Sequence, residues 1–427
     1  MAANTPSTIL VLSQVYVPDP ASVGQHVADA AAELVRRGHR VVVLTSANGY
    51  DDPKVKYPHR ETRDGVEIIR LPFSSFGKGS IPVRLLGGML FMLQCVVRGP
   101  FVGGLRAILV STSPPMCAAA AMVISVLRGV PIKYWVMDLN PDQMIELGKV
   151  KPDALAVKVY DAFNRMVLRR AADVVALDRF MAARLNRKVD VSHKLAVMPP
   201  WPHDDHLGVI PHETNPFRKQ HKLDGKFVIM FSGNHAISNP VKTLVDAAVQ
   251  LRLRKDIVFM FIGSGAGKKD VEAAIAEHNL TNMVSLPYQP LDKIKFSLSA
   301  ADVHLVSVGN EAVGVVHPCK VYGAMAVSRP VLLLGPDPCH ISDLVRDHRI
   351  GWHITHGDVS GAAETVERIV ATAPEELAAM GRRASMLIDR DLSKSVLCGR
   401  FCDVVERGLE SAKPTAAPAA APAERAA

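Results

Sequence analysis

Lys320 closes the tight corner His317-Pro318-Cys319-Lys320, directly after the glycine turn Gly314-Val315-Val316. Backbone amides shown at the start of a helix, with a lysine beside them, suit a phosphate group. A run of small residues follows the corner, and Arg329-Pro330 then feeds an apolar strand ending at Gly335. Two more loops carry residue types that could meet a ligand. Pro18-Asp19-Pro20-Ala21-Ser22-Val23-Gly24 opens a helix, and Gly24 would let a ligand come close to the backbone, although a plain strand-to-helix turn would use the same residues. It is not a GxGxxG fingerprint, which argues against a nicotinamide or flavin cofactor. Gly263-Ser264-Gly265-Ala266-Gly267-Lys268-Lys269 looks like a P-loop, but its spacing is wrong and no hydroxyl follows to hold magnesium. ATP hydrolysis is therefore not expected, and a simple turn into a helix over 270–278 is an equal reading of this loop.

The elements that must position these loops repeat one pattern twice. Thr8 to Val15 reads as a buried strand, followed by a helix over 24–37 with Val27, Ala31, Leu34 and Val35 at helical spacing. Gly38-His39 ends that helix, and strands are expected at 41–45, 66–71, 107–111, 132–136 and 173–177. The pattern restarts at Phe227–Ser232, with a helix over 241–252 and strands at 257–262, 283–286, 302–306, 330–334 and 351–354. Strand–helix alternation predicts parallel sheets with helices on both faces, hence an α/β fold of two Rossmann-like halves. The boundary is expected at Met198-Pro199-Pro200-Trp201-Pro202, dividing the chain into 1–200 and 201–410. Residues 411–427, rich in Ala and Pro, read as a disordered tail.

Composition bounds the rest. A chain of 427 residues exceeds one ordinary core, in line with two domains of about 200 residues. Its 48% hydrophobic and 22% charged residues suit a soluble globular protein, and its net charge of +8 favours anionic partners without choosing among them. Six scattered cysteines suggest a reducing compartment, and Cys398 with Cys402 one helical turn on reads as packing rather than metal binding. The start, MAANTPSTILVLSQ, lacks the basic head and long apolar run of a signal peptide, so a cytoplasmic location is expected.

Six segments now line up in order: GQHVADAAAELVRRGHRVVVLT, VMDLNPDQ, FSGNHAISNPVKTLVDAA, FIGSGAGKKDVE, AADVHLVSV and HPCKVYGAMAVSRPVL. In that order they resemble the retaining glycosyltransferases of family 4, over residues 8 to 405, and most of all the subgroup that builds capsule, exopolysaccharide and O-antigen. The resemblance implies the GT-B fold, two Rossmann-like domains facing across a cleft. The amino-terminal domain would bind the acceptor and the carboxy-terminal domain a nucleotide-sugar donor, expected to be UDP-linked. The acceptor would be a lipid-linked saccharide or polyprenyl diphosphate, with no nucleic acid partner, no cofactor and no metal ion.

Carried over residue by residue, the resemblance puts the base near Leu286-Pro287-Tyr288 and the diphosphate near 232–242 and 314–320. Gly24, Gly233, Asn234, Lys242, Gly263, Gly265, Pro287, Tyr288, Glu311, Gly314, Val315 and Val316 would contact the donor. Asp138 and Lys320 would be catalytic. Charge builds on the departing diphosphate, so fixed cations and amides must meet it there. Two departures sharpen this. Asn234 and Asn239 stand where the family has Arg and Lys, and Val315 and Gly323 stand where it has the E-x7-E glutamates. Lys320 would then supply the missing positive charge, helped by the amides of Gly314 to Val316, with Lys242 as a second cation. Glu311 either touches a sugar hydroxyl or faces solvent. Asp138 either orients the acceptor hydroxyl and steadies positive charge at the anomeric carbon, or caps the helix near Pro141. Arg179, at a helix start, could reach phosphate.

One segment bears on the acceptor. Arg84 and Arg98 flank an apolar run of about 13 residues, too short to span a bilayer. Such a helix either lies in the membrane interface, making the protein peripheral on the inner face of the plasma membrane, or packs across the first sheet. The Ala-rich stretch 116–127 reads as core. Two other functions fit the same fold: a nucleotide-sugar 2-epimerase, which would need a set of cleft carboxylates and a histidine, and a non-catalytic nucleotide-sugar-binding subunit of a polysaccharide assembly complex.

Overall fold

The computed structural model describes residues 7–19, 21–50, 52–77, 81–202 and 208–409, so the tail expected at 411–427 lies outside the described residues. Two compact units emerge, each discontinuous in sequence. One holds residues 1–134, 171–173 and 401–427, and the other 135–170 and 174–400.

In the first unit, β1 (Thr8–Leu12), β2 (Arg40–Ser46), β3 (Arg60–Arg63), β4 (Val66–Leu71), β5 (Leu105–Ser111) and β6 (Ile132–Trp135) lie in the order β3-β4-β2-β1-β5-β6. Every residue of β1 is buried, because helices cover both faces of a parallel sheet. These helices are α1 (Ser22–Arg36), α2 (Ile81–Arg98) and α3 (Ala118–Arg128). The apolar stripe of α1, from Val27 through Ala31 to Leu34, is buried as its spacing requires. β3 runs antiparallel to β4. Its sequence, Arg-Glu-Thr-Arg, carries no apolar pattern, which is why sequence reading passes over it.

The expectation that 116–127 is core needs correction. α3 buries Ala118, Ala121 and Ile124 but leaves Val126 and Leu127 at 69% and 64% exposure. The run in α2 is likewise longer than expected: from Pro82 to Phe101, 20 residues are helical and apolar enough to cross a membrane by length and composition. One face of α2 is nonetheless committed to the unit, with Phe91 and Cys95 fully buried.

The second unit begins with α4 (Asp142–Glu146), α5 (Leu155–Arg170), β7 (Asp173–Ala176), α6 (Arg179–Lys188) and β8 (Leu195–Val197), where β7 and β8 pair in parallel. After α7 (Pro216–Gln220) come β9 (Phe227–Ser232), α8 (Lys242–Gln250), β10 (Ile257–Ile262), α9 (Lys268–Glu277), β11 (Met283–Leu286), α10 (Ile294–Ser299) and β12 (Val303–Ser307). The series ends with α11 (Lys320–Ala326), β13 (Val331–Leu334), α12 (His340–His348), β14 (Gly351–Ile354), α13 (Val359–Val370) and α14 (Pro374–Leu387), and α15 (Lys394–Glu406) begins in this unit and ends in the first. The six strands run in parallel in the order β11-β10-β9-β12-β13-β14. Alternate residues of β9 serve opposite faces: Ile229 and Phe231 pack with Leu244 and Phe259, whereas Val228 and Met230 pack with Phe217 and Leu223.

Strand order reverses between β9 and β12. At such a switch point neighbouring connections leave to opposite faces of the sheet and open a crevice at the carboxyl ends of the strands. The loop after β9 and the loop from β12 to α11 both lie there. They contain Gly233, Asn234 and the corner ending in Lys320.

Candidate functional site

The loop after β9 is built around one lysine. Gly233 has φ +134°, and a Cβ on it would sit 2.6 Å from the Lys320 Cε. The missing side chain is therefore the channel through which Lys320 reaches back over the end of β9. Its ammonium lies 5.1 Å from the Phe231 ring centre. With the Asn239 amide oriented to accept, its oxygen takes the Lys320 Nζ at 3.0 Å, and its nitrogen donates to the Ser238 and Ser307 carbonyls at 3.1 Å each. Asn239 thus holds the cation without neutralising it. No described carboxylate pairs with Lys320, and burial lowers the ammonium to about 8 from 10.5.

Beside it, Cys319 and Asp138 share the neighbourhood. The Cys319 thiol is open to solvent but closely surrounded, and burial pushes it up to about 11 from 9.0, with Lys320 opposing and Asp138 adding to the rise. Burial also raises the Asp138 carboxyl above its ordinary value. α4 begins at Asp142 with Pro141 as its N-cap, so Asp138 is not the capping residue. The Asp138 carboxyl instead lies within electrostatic reach of the Cys319 thiol.

The glycine turn is fixed from the other side. Gly314 has φ +73°, and a Cβ there would lie 2.8 Å from the Phe180 carbonyl carbon. The Leu139 amide donates to the Val315 carbonyl at 3.2 Å, and Arg184 Nε donates to the Val313 carbonyl at 2.9 Å. The expectation that the Val315 and Val316 amides face a phosphate is corrected: both donate to the Ala312 carbonyl, at 3.2 and 3.3 Å. They close the turn instead, and Val315 is buried.

Sequence reading missed the network that anchors this corner. His317 Nδ1 meets Asp178 Oδ2 at 3.1 Å, and its Nε2 meets the Tyr322 hydroxyl at 2.7 Å. The same hydroxyl lies 3.2 Å from His340 Nε2. Asp178 also accepts from the Phe180 and Met181 amides as the N-cap of α6. Burial works against its charge, yet the bond to His317 prevails and holds the carboxyl below its ordinary value. Burial and the neighbouring His317 lower His340 to about 3. The helix-start signal of Asp178-Arg179-Phe180-Met181 was readable, but not its partner 139 positions away.

Other expected contacts scatter. Lys242 is 77% exposed and paired with Asp246 at 2.8 Å one helical turn on, so it serves α8 rather than the loop. Arg179 is 60% exposed and bound to Asp343 at 2.6 Å, away from any phosphate role. Gly24 is buried, with the Val15–Tyr16 backbone 3.1 Å from where its Cβ would be, so helix packing explains it rather than ligand approach. Asn234 is exposed, and its Oδ1 lies 2.5 Å from the position of a Cβ on Gly265. Gly263 donates to the Leu286 carbonyl at 3.0 Å, and Lys268 Nζ ties the Gly263 and Leu286 carbonyls together. The lysine of the P-loop lookalike therefore staples β10 to β11. Pro287 and Tyr288 project just beyond β11, both exposed. Glu311 is exposed in a 3-10 turn, which fits its solvent-facing reading.

Comparison with known proteins bears on family and fold. Residues 22–201 match the family described as glycosyl transferase 4-like domain, and residues 213–386 match glycosyl transferases group 1. WbjE of Pseudomonas aeruginosa, a glycosyltransferase by its name, is 24% identical over 306 residues, covering 72% of this chain and 76% of its own. WcaI of Escherichia coli K12, named for colanic acid biosynthesis, is 25% identical over 333 residues, covering 75% and 81%. Among solved structures, a sucrose-phosphate synthase from Thermosynechococcus elongatus superposes with TM-score 0.73 at 16% identity, over 94% of this chain and 98% of that one. HepE of Anabaena, solved with UDP and glucose, gives 0.69 at 14% identity over 94% and 100%. The structural likenesses speak for the fold.

Proposed function

We propose how this chain, which belongs to the family 4 glycosyltransferases of GT-B fold, uses the site around Lys320: it moves a sugar from a UDP-linked donor to a lipid-linked acceptor, with retention at the anomeric carbon, in the building of a surface polysaccharide. The observation that carries this reading is the half-buried Lys320 ammonium, held by a neutral amide and paired with no described carboxylate. An uncompensated cation in such a place is costly, and an anion seated against it removes the cost. The diphosphate of the donor is that anion. As the bond to the sugar breaks, negative charge grows on the leaving diphosphate, and a cation already in position stabilises it without reorganising. Asp138, near enough to Cys319 to raise its thiol, would on this reading face the positive charge growing at the anomeric carbon.

UDP is favoured because HepE was solved with it, and colanic acid, for which WcaI is named, is a polysaccharide. The exposed apolar face of α2 favours an acceptor held at a membrane surface, with the protein on the cytoplasmic side. The test is calorimetric titration with UDP, followed by donor turnover across a panel of UDP-, GDP- and dTDP-sugars. UDP binding that collapses in Lys320→Met, with turnover of a UDP-sugar by the natural chain, supports the reading. Tight UDP binding with no turnover toward any lipid-linked acceptor would leave a binding subunit in its place.

A further inference from the structure

α6 does more than present Asp178 to the Lys320 corner. Arg184, one turn past Phe180, has two partners from distant parts of the chain. Its Nε donates to the Val313 carbonyl at 2.9 Å, at the start of the glycine turn that leads to Lys320. Its Nη1 donates to Glu146 Oε1 at 2.7 Å, on the last residue of α4. All of these segments belong to the second unit. With 19% of its side chain exposed and both groups engaged, Arg184 is built into the structure rather than held out for a ligand.

A second link between the same segments is direct. The peptide joining Asp138 to Leu139 donates its amide to the Val315 carbonyl at 3.2 Å. Asp138 is therefore tied to the turn by two routes: through its own peptide, and through α4, Glu146 and Arg184. One hydrogen bond alone leaves the Asp138 segment free to swing about it, and the second tie removes that freedom. Gly314 sits between the two tied carbonyls, and a Cβ there would lie 2.8 Å from the Phe180 carbonyl carbon, so the turn is also seated on the start of α6. Lys320 itself is held by other groups, the channel past Gly233 and the Asn239 amide. Arg184 thus bears on where Asp138 stands relative to the corner, and a misplacement of about 1 Å in a reacting constellation can cost roughly 10²-fold in rate.

We propose that Arg184 is a positioning residue: bound at once to Val313 and Glu146, it sets the separation between Asp138 and the Lys320 corner before any substrate arrives. An arginine suits this task because its planar fork offers two donors in fixed relation, where a lysine offers a single ammonium. The proposal rests on the reading of Asp138 and Lys320 given above and deepens it by naming the group that spaces them.

Steady-state release of UDP from the UDP-sugar that the donor panel selects tests it, in a cycle of variants of the full chain. Arg184→Met should lower kcat by roughly 10²-fold, with KM for the donor and affinity for UDP within about threefold of the natural chain. Glu146→Ala, a milder change at the far end of the bridge, should lower kcat by about tenfold in the same pattern, and it answers the question alone if Arg184→Met does not fold. The double variant should be no slower than Arg184→Met, because the bridge is already gone. Unchanged kcat in either folded single variant overturns the proposal, as do losses that multiply in the double variant. A raised KM with kcat kept would make Arg184 a donor contact and overturn it too. Lys320→Met separates the proposal from its premise. Normal turnover in that variant sinks the reading of the site itself, whereas an inactive Lys320→Met beside an unimpaired Arg184→Met sinks the bridge alone.

Discussion

Replacing Lys320 with Met should make the protein more stable and less active at once. The ammonium stands at about 8 where a free lysine has 10.5. That difference means burial disfavours the charged form by about 3 kcal/mol near neutral pH. The Phe231 ring and the Asn239 oxygen return part of it, about 1–2 kcal/mol together. A methionine fills the same channel past Gly233 and needs neither, so the net gain is roughly 1–2 kcal/mol. For a unit of this size that raises the melting temperature by roughly 2–8 °C. Because the folded value lies below the unfolded one, the cost is full below about 8 and fades as pH rises toward 10.5. Scanning calorimetry at pH 7 and pH 10 should therefore show the variant's advantage shrinking in alkali. Donor turnover should fall by roughly 10²- to 10³-fold, as for loss of one preorganised group at a leaving anion. The natural chain should also lose UDP affinity above pH 8, whereas the variant should not. A lower melting temperature for Lys320→Met, with UDP affinity within threefold of natural, would refute the account of Lys320 as a stored charge.

Gly233→Ala should abolish UDP binding, measured by titration, because the new methyl occupies the Lys320 channel at a φ of +134°. Asp178→Asn keeps an oxygen for the α6 amides but removes the charge facing His317, and should cost roughly 1–3 kcal/mol in urea unfolding at pH 7. Its acid limb should also flatten: a carboxyl held low stabilises above its unfolded value, and the natural chain loses that support as pH falls through the folded one. His340, lowered to about 3 from 6.5, adds to the acid loss, since the unfolded state takes up its proton first; urea midpoints should decline from pH 6.5 downward. Lys242→Ala should leave UDP affinity within twofold and cost at most about 0.5 kcal/mol of stability, as its exposed pairing with Asp246 implies.

Most strands of the two sheets could be read from the chain because a strand covered on both faces must be an unbroken apolar run. Phe227–Ser232 and Ile257–Ile262 begin and end where that run does. Arg60–Arg63 escaped because an edge strand needs no such pattern. Lys320 was legible for a related reason. A lysine at a helix start after a glycine turn is a local arrangement, and local arrangements are written in neighbouring letters.

What tertiary structure alone decided is where each candidate's spare valence goes. The Val315 and Val316 amides looked available for a phosphate, but the turn itself consumes them. Lys242 and Lys320 are the same residue type at two loop–helix junctions, and only the first has an aspartate one turn on to take it into solvent. Asp178 and His317 are 139 residues apart and meet because two loops converge. The Ala-rich α3 keeps its small residues inside and turns Val126 and Leu127 out, against the expectation from hydrophobicity. Composition sets how much apolar surface a helix has, but the packing of its neighbours chooses which side is covered. The chain by itself determined the sheets, the two loops and the cation. Long-range contacts, whose energies depend on distance and burial rather than on sequence spacing, decided which of those groups remain free to act.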